Sequence, residues 1–484
     1  MAHIEFIDQT LRDGQQSLWG MRMQAGMALP VTPQIDRIGY RVVDLTGSSM
    51  FEVLIKYCDE DPWAGLDLLA ASMPNSRLRA GLRSNACVSF SVTPDAVMDL
   101  WVRRLAAHGI RSFWIYDVLF NIDKMHRLAK VAKESGAEVA GAINFCLSPV
   151  HSDAYYAARA AEVAASPDVD TLLIYDTAGC LLPERVTTLV PAIRSGAKGK
   201  PIELHSHNVA GMSPLSYLEA VNQGVAILHT ASRPLANGPS MPSTEIMIHN
   251  LSLLGHTHGL DRERMHVVAG YFTRLAKTYG LRLGVPNEFD LSAYEHQIPG
   301  GMTGTLRNQL VQHRMADRLD DVLNETAIVR KELGYPGMMT PFSQLVGTQA
   351  VLNIVTGRRW SVIPDEVIQY AVGHYGSPVA PIQPEILDRI AGAPRYKDIL
   401  AHPPPQPTLE ELRRQHGGVD DDELLLRAVV PLHDIERMRA AGPPRLDFPL
   451  LSSPELDVAR QLMLATTSRY LRVVTPDATV ELSR

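Results

Sequence analysis

Two histidines separated by one serine close the run PIELHSHN at positions 201–208. Side chains at i and i+2 of an extended strand point to the same face, so His205 and His207 can present both imidazoles to one metal ion. The alternative is a pair of histidines at a strand end that binds no ligand. A second pair with the same spacing, His256 and His258 in LLGHTHGLD, lies beside glycine and aspartate residues that indicate a turn. The spacing alone therefore does not decide between the two interpretations.

Short strand-like runs recur through the first half of the chain and alternate with stretches of helical periodicity. Eight such runs occupy residues 4–8, 41–45, 78–82, 112–117, 138–145, 171–176, 202–207 and 225–231. Strands that alternate with helices form parallel βαβ units, and eight units favour a closed barrel over an open sheet. The sequence therefore predicts an α/β fold in which residues 1–300 form a (β/α)8 TIM barrel.

The polar residues that could do chemistry fall where these strands end. In a TIM barrel the active site lies at the C-terminal ends of the strands. His205 and His207 are placed there, as are Arg83, Asp117, Asp176 and the run DQTLRDGQQS that follows the first strand. We therefore expect these side chains to meet at one end of the barrel.

The sequence beyond residue 300 is rich in helical patterns, as in the runs 307–334 and 364–376. We predict a mainly helical C-terminal domain over residues 301–450, packed near the barrel mouth. The segment AHPPPQPT at 401–408 breaks the helical pattern, because proline lacks an amide proton and favours extended chain. In the tail, residues 451–484, apolar and polar residues alternate around TPDA and predict a hairpin.

Composition excludes several classes of partner. The chain has 484 residues and a formal charge of −7, with no basic stripe that would favour nucleic acid or an anionic membrane. No apolar run approaches the roughly 18 residues that span a bilayer, and MAHIEFIDQ lacks the features of a signal peptide, so we expect a cytoplasmic protein. The four cysteines are scattered without a CxxC pair, as is typical of reduced thiols.

Several motifs resemble a known family. FIDQTLRDGQQSLWGMRM at 6–23, together with LHSH, resembles the barrel metalloenzymes named for an Asp-Arg-Glu signature, which include hydroxymethylglutaryl-CoA lyase and isopropylmalate synthase. Longer motifs are similar to one branch: the carboxyltransferase domain of pyruvate carboxylase, the oxaloacetate decarboxylase alpha subunit and the large catalytic subunit of transcarboxylase. These motifs are EDPW at 60–63, MPN at 73–75, SPVH at 148–151, IPGGMTGTLRNQL at 298–310 and LGYPGMMTPFSQLVGTQAVLN at 333–353.

The resemblance implies a metal site and a substrate. Asp13, His205 and His207 match the ligands of a divalent ion, and one carboxylate with two imidazoles suits Zn²⁺, Mn²⁺ or Co²⁺. In that family the ion and an arginine hold a 2-oxo acid such as pyruvate or oxaloacetate as its enolate. The further residues assigned by this resemblance are Arg12, Gln16 and Arg83 as catalytic, Gln16, Arg83 and Asp117 as substrate-binding, and Asp8, Arg12 and Asp117 as orienting groups. Tyr175 is a further catalytic candidate because of its position.

Two positions depart from the family pattern. Tyr175, in IYDTAG, stands where the carboxyltransferases have a metal-binding lysine that is carboxylated on its amine. Its two interpretations are a proton donor or metal neighbour, and a side chain that only fills the volume of the carbamate. Gly304 stands where the family has a Thr or Ser that transfers a proton, and the flanking Thr303 and Thr305 are one residue out of place. General acid-base help is typically worth about 10²- to 10⁴-fold, so its loss would matter.

The function predicted from these residues is carboxyl transfer or decarboxylation at a 2-oxo acid. The sequence contains no AMKM-like biotin-attachment motif, so any biotin would arrive on a separate carrier protein. A biotin-independent lyase, aldolase or condensing enzyme and a non-catalytic scaffold subunit are the alternatives. Members of the family assemble as dimers or larger, so the resemblance also implies a homo-oligomer.

Overall fold

The structure is a computed structural model, and it describes residues 1–88, 91–300, 306, 310–311, 314–450, 454–474 and 479–483. Within those residues, no helix has both the length and the apolar surface that crossing a membrane requires.

Eight parallel strands close into a barrel, which confirms the fold expected from the sequence. The strands are β1 Glu5–Asp8, β2 Val42–Gly47, β3 Leu78–Arg83, β4 Ile110–Tyr116, β5 Glu138–Asn144, β6 Thr171–Asp176, β7 Ile202–Ser206 and β8 Ile227–Thr230. They are hydrogen-bonded in sequence order, and β8 pairs with β1 to complete the ring. All eight lie within one or two residues of the predicted runs.

Helices connect and surround the strands. Those of the first 300 residues are α1 Gln15–Trp19, α2 Ala25–Ala28, α3 Thr32–Ile35, α4 Ser48–Cys58, α5 Pro62–Ser72, α6 Asp95–Ala107, α7 Ile122–Glu134, α8 Asp153–Val163, α9 Pro183–Gly196, α10 Ser213–Asn222, α11 Thr244–Leu253, α12 Arg262–Tyr279 and α13 Ser292–His296. The largest hydrophobic core lies between strands and helices, where Phe51 packs edge-on against Trp63 and Trp101.

Further helices cover the barrel mouth. They are α14 Leu319–Glu332, α15 Phe342–Thr356, α16 Asp365–Ala371, α17 Pro384–Ala391 and α18 Tyr396–Ala401. Their apolar side chains, such as Phe342 and Val346, share a second core with Trp114, Leu173 and Tyr175 of the barrel. This contact holds the helices directly above the C-terminal ends of the strands.

The chain then returns to the side of the barrel. After the proline-rich segment, α19 Leu409–Gln415, α20 Asp421–Val429 and α21 Leu432–Ala441 pack on the outer layer, with α20 against α6 and α21 against α4. Asp422 accepts two hydrogen bonds from Arg104 at this contact. The residues predicted as one helical domain, 301–450, therefore pack at two separate places on the barrel.

The tail contains helix α22 Pro454–Ala465 and two antiparallel strands, β9 Tyr470–Val474 and β10 Thr479–Ser483. Burial alternates along both strands, as expected for a ribbon with one covered face. The three elements contact one another.

Candidate metal centre

Asp13 reaches the barrel mouth from a π-helical turn, Thr10–Gly14, that follows β1. The turn packs so tightly on the loop after β8 that a Cβ atom at Gly14 would lie 2.7 Å from the carbonyl oxygen of Leu235. Glycine is therefore required there. Ser17 donates a hydrogen bond of 2.8 Å to Asp13 Oδ1, and Arg12 forms an ion pair with Asp13 Oδ2.

His205 and His207 extend from the end of β7 toward the same carboxylate. The Nε2 atoms of the two histidines are 3.1 Å apart, and each lies 3.3 Å from one oxygen of Asp13. Two nitrogen ligands of a tetrahedral first-row ion, each about 2.05 Å from the metal, stand about 3.3 Å apart. These three side chains therefore fit a divalent ion, and they are the one such group found among the described residues.

The protonation states of two of these groups suit a metal as well. Burial alone would raise the pKa of Asp13, but attraction from His207 and Arg12 outweighs burial and lowers the pKa well below the ordinary value. Burial lowers the pKa of His205 to about 3. A metal binds deprotonated ligands, so neither group needs to lose a proton at neutral pH.

The second pair of histidines forms no comparable site. His256 accepts a hydrogen bond from the backbone N–H of Ala2, and His258 accepts one from that of Leu260. Both follow the turn that ends α11, as the sequence indicated. The two pairs differ because His205 and His207 extend from the end of a strand toward one carboxylate, that of Asp13.

A cavity of about 490 Å³ opens beside Asp13 and His207. Gln16, Arg83 and Tyr175 line it together with these two residues. Further wall is contributed by α4, the start of α15 and the loops that follow β1, β6 and β8. Arg83 is buried, and its guanidinium donates to Ser49 Oγ and to the carbonyl oxygen of Cys87. A guanidinium beside a metal site can hold a carboxylate through two parallel hydrogen bonds.

Asp117 and Asp8 are not among the residues that line the cavity. Each makes hydrogen bonds to residues close to it in the fold. Asp117 accepts hydrogen bonds from Ser84 Oγ and from the backbone N–H of Leu119, and burial raises its pKa. Asp8 accepts a hydrogen bond of 2.5 Å from Thr10 Oγ1. These contacts support a role in shaping the loops after β4 and β1, whereas the sequence suggested substrate binding by Asp117.

Comparison with known proteins decides the family. Residues 293–433 match the family model of a conserved carboxylase domain. A pyruvate carboxylase subunit of Methanocaldococcus jannaschii is 33% identical over 443 residues, which are 90% of this chain and 78% of that subunit. The 5S subunit of methylmalonyl-CoA carboxyltransferase from Propionibacterium freudenreichii subsp. shermanii is 30% identical over 446 residues, 90% of this chain and 87% of that subunit. The chain belongs to this carboxyltransferase family.

Solved structures show the same fold. The carboxyl transferase domain of Rhizobium etli pyruvate carboxylase, determined with pyruvate, matches 91% of this chain and 77% of that one, with a TM-score of 0.81 and 23% sequence identity. The complete multifunctional enzyme from Rhizobium etli is longer, and the match covers 91% of this chain and 46% of that one.

Tyr175 forms part of the cavity wall and packs against other aromatic rings. Its ring centre lies 4.7 Å from that of Trp114 and 5.0 Å from that of His205. Gly81 makes room for this group, because a Cβ atom there would lie 2.5 Å from the Trp114 ring. Burial raises the pKa of Tyr175 above its ordinary value although the positive charge of Arg12 acts in the opposite direction, so the phenol is neutral. These contacts favour the interpretation in which Tyr175 fills the position of the carbamate.

Thr177 is a polar residue of the cavity that the sequence did not single out. Tyr175 pairs with His205 and Asp176 with Ser206 across the β6–β7 ladder, so Thr177 is next in register beside His207. Paired residues of parallel strands point to the same face. The Thr177 hydroxyl is buried at the cavity wall and has no hydrogen-bond partner among the described residues.

Three further residues missed by sequence reasoning lie beneath the histidines: Arg79, Glu203 and His229. One of them, Glu203, could have been predicted from the sequence, because it is two positions before His205 and therefore lies on the same face of the strand. Gly304, Thr303 and Thr305 lie outside the described residues, so the predicted loss of the proton-transferring side chain stays a prediction.

Proposed function

We propose that this carboxyltransferase binds a divalent ion through Asp13, His205 and His207 and acts on the enolate of a 2-oxo acid. The observation that carries the proposal is the position of Arg83, a buried cation in the wall of the cavity beside these ligands. When bound, the ion would supply Lewis acidity toward the oxyanion that develops as a 2-oxo acid is enolised.

Other side chains of the cavity would bind the substrate and limit its contact with water. Arg83 would hold the substrate carboxylate, and Gln16 would donate its amide hydrogens to the same end of the ligand. Tyr116 and Tyr175 contribute to the cavity wall, where Trp114 stacks on Tyr116 and makes a tilted contact with Tyr175, so these rings would limit the access of water to a bound substrate. Exclusion of water strengthens the interaction of Arg83 with a developing anion.

We propose that the carboxyl group is exchanged with biotin on a separate carrier protein. The cavity, at about 490 Å³, has the size of a pocket for a drug-sized ligand, so a small 2-oxo acid leaves room for a second reactant. The relatives from Methanocaldococcus jannaschii and Propionibacterium freudenreichii are both named as subunits, which supports a partner chain for this protein as well. Pyruvate, which the name of the first of them contains, is the first substrate to test.

A second candidate function is supported by Tyr175. Its neutral phenol takes the position at which the family has an anionic ligand, and it supplies no negative charge to an ion. Such a site suits a decarboxylase or another carbon–carbon lyase that needs no biotin. In the decarboxylation of oxaloacetate, CO₂ leaves with the cleavage of one C–C bond, and a proton added to the resulting enolate gives pyruvate.

The test is oxaloacetate turnover by metal-analysed protein, followed as pyruvate release with and without free biotin. Turnover that needs both the metal and biotin supports carboxyl transfer, and turnover that needs the metal alone supports the second function. Turnover that persists after the ion is removed by a chelator contradicts both. Metal-loaded protein that releases no pyruvate in either condition contradicts the second function for oxaloacetate and points to a different 2-oxo acid or to a need for biotin on its carrier protein.

A further inference from the structure

A chain of buried polar groups runs beneath His205, away from the cavity. The Nδ1 atom of His205 lies 3.2 Å from Nδ1 of His229, whose Nε2 atom lies 2.9 Å from Glu203 Oε2. Arg79 donates to both oxygens of Glu203, at 2.6 and 3.2 Å, and Thr171 donates to Oε1 at 2.7 Å. All of these side chains are buried in the barrel interior.

The donors around Glu203 fix the proton on His229. Glu203 receives three hydrogen bonds from Arg79 and Thr171, so its oxygens act as acceptors. The ring nitrogen of His229 that faces Glu203 must therefore be the donor, which places the hydrogen on Nε2. In a neutral imidazole the other nitrogen, Nδ1, is then an acceptor.

A second contact constrains His229 in the same way. The Nε2 amide group of Gln9 lies 3.0 Å from His229 Nδ1 and also donates to Asp44 Oδ2 at 2.9 Å. Since Asp44 holds the amide hydrogens on this side of Gln9, His229 meets a donor and must accept. An Nδ1 hydrogen on His229 would oppose that donor.

The last link sets the state of His205. Its Nδ1 atom faces the acceptor Nδ1 of His229, and two facing lone pairs would repel each other, so His205 carries its hydrogen on Nδ1 and shares this acceptor with Gln9. The lone pair of His205 is then on Nε2, the atom that lies 3.3 Å from Asp13 and 3.1 Å from His207. This is the nitrogen that a metal at the three-residue site would require.

We infer that His229 and Glu203 are positioning residues that hold His205 in the tautomer with Nε2 free to bind a metal. The inference rests on the proposed function for the metal itself. A partner on the second nitrogen of a ligating histidine fixes the ring orientation and raises its basicity, and loss of such a partner typically costs about 10- to 100-fold in metal affinity.

The test compares two substitutions of His229. His229→Phe keeps a ring but removes the acceptor, whereas His229→Asn keeps an oxygen near the position of Nδ1. We expect Co²⁺ affinity, measured by calorimetry and by the visible absorption of the bound ion, to fall about 10- to 100-fold in His229→Phe. We expect His229→Asn to stay within a few-fold of the unsubstituted protein.

Equal affinity in the folded Phe variant and the unsubstituted protein would overturn the inference and leave the proposed metal site standing. Failure of the unsubstituted protein to bind Co²⁺, Mn²⁺ or Zn²⁺ would instead overturn the proposed function. If the Phe variant does not fold, ¹⁵N spectra of histidine-labelled, metal-free protein decide. A His205 signal of the Nδ1–H form, assigned with His205→Gln, supports the inference, and an Nε2–H form contradicts it.

Discussion

Tyr175 lies directly across the β6–β7 ladder from His205, with the two ring centres 5.0 Å apart. The aromatic side chain therefore stands beside one of the three proposed metal ligands, at the position where the sequence resemblance implies a carboxylated lysine. The charge of Arg12 favours ionisation of the Tyr175 phenol, and Arg12 is in turn paired with Asp13. The phenol is connected to the metal centre through a cation.

Because Arg12 stands between Tyr175 and Asp13, removal of the hydroxyl leaves the three ligands in place. We expect Tyr175→Phe to bind Co²⁺ with an affinity close to that of the unsubstituted protein, as measured by calorimetry. Loss of binding in this variant would show that the phenol itself is a ligand.

The two pairs of histidines provide a matched comparison. We expect His207→Ala to abolish both metal binding and turnover, since two ligands remain for the ion. His258→Ala, in the pair that follows α11, should change neither property. Turnover by metal-free His207→Ala protein would contradict the mechanism.

Periodicity in the sequence was sufficient to predict the barrel. Strand-like runs that alternate with helices predict parallel strands, and in a parallel barrel the C-terminal ends of all strands meet at one mouth. The grouping of Asp13 with His205 and His207 therefore followed from this topology and from the resemblance to the family. The contacts beneath the site could not be predicted in this way. His229 lies on β8, next to the strand of Glu203, but Arg79 lies on β3, 124 positions before Glu203, and only the closed barrel brings it to that carboxylate.

The packing of residues beyond 400 was also outside the reach of sequence patterns. Helical periodicity predicted α20 within the helical region, but the pattern of an amphipathic helix does not indicate which surface the helix packs against. The ion pair between Arg104 and Asp422, 318 positions apart, depends on the path of the whole chain. Sequence alone therefore grouped with the mouth helices a segment that packs on the barrel side.

Arg83 gives a prediction about substrate affinity. We expect Arg83→Lys to raise KM for a 2-oxo acid by on the order of 10- to 100-fold, because an ammonium cannot form the paired hydrogen bonds of a guanidinium. Metal affinity should be unchanged. Arg77→Lys, at the opposite end of β3, is the control and should leave KM unaltered. An unchanged KM in Arg83→Lys would remove Arg83 from the substrate site.

His151 gives a prediction about pH. Burial, and then the charge of Arg330, lowers its pKa from 6.5 to about 3. The unfolded chain therefore binds more protons than the folded chain between these values, so this group makes stability fall as pH falls from 6.5 toward 3. We expect the free energy of unfolding of His151→Gln to depend less on pH across this window, by up to about 1.4 kcal/mol per pH unit. Urea titrations with His402→Gln, at an exposed histidine, as control measure the difference.

Thr177 tests whether the cavity beside His207 is where chemistry occurs. A buried hydroxyl is costly unless a partner satisfies it, and this one, at the cavity wall, has none among the described residues, which leaves it to a ligand or water. We expect Thr177→Val, which keeps the shape and removes the hydroxyl, to lower kcat/KM by about tenfold or more, as for the loss of a hydrogen bond to a charged group. Thr177→Ser should retain most of the activity, and both variants should bind Co²⁺ normally. If valine and serine have equal effects on kcat/KM, the Thr177 hydroxyl does not contact the substrate.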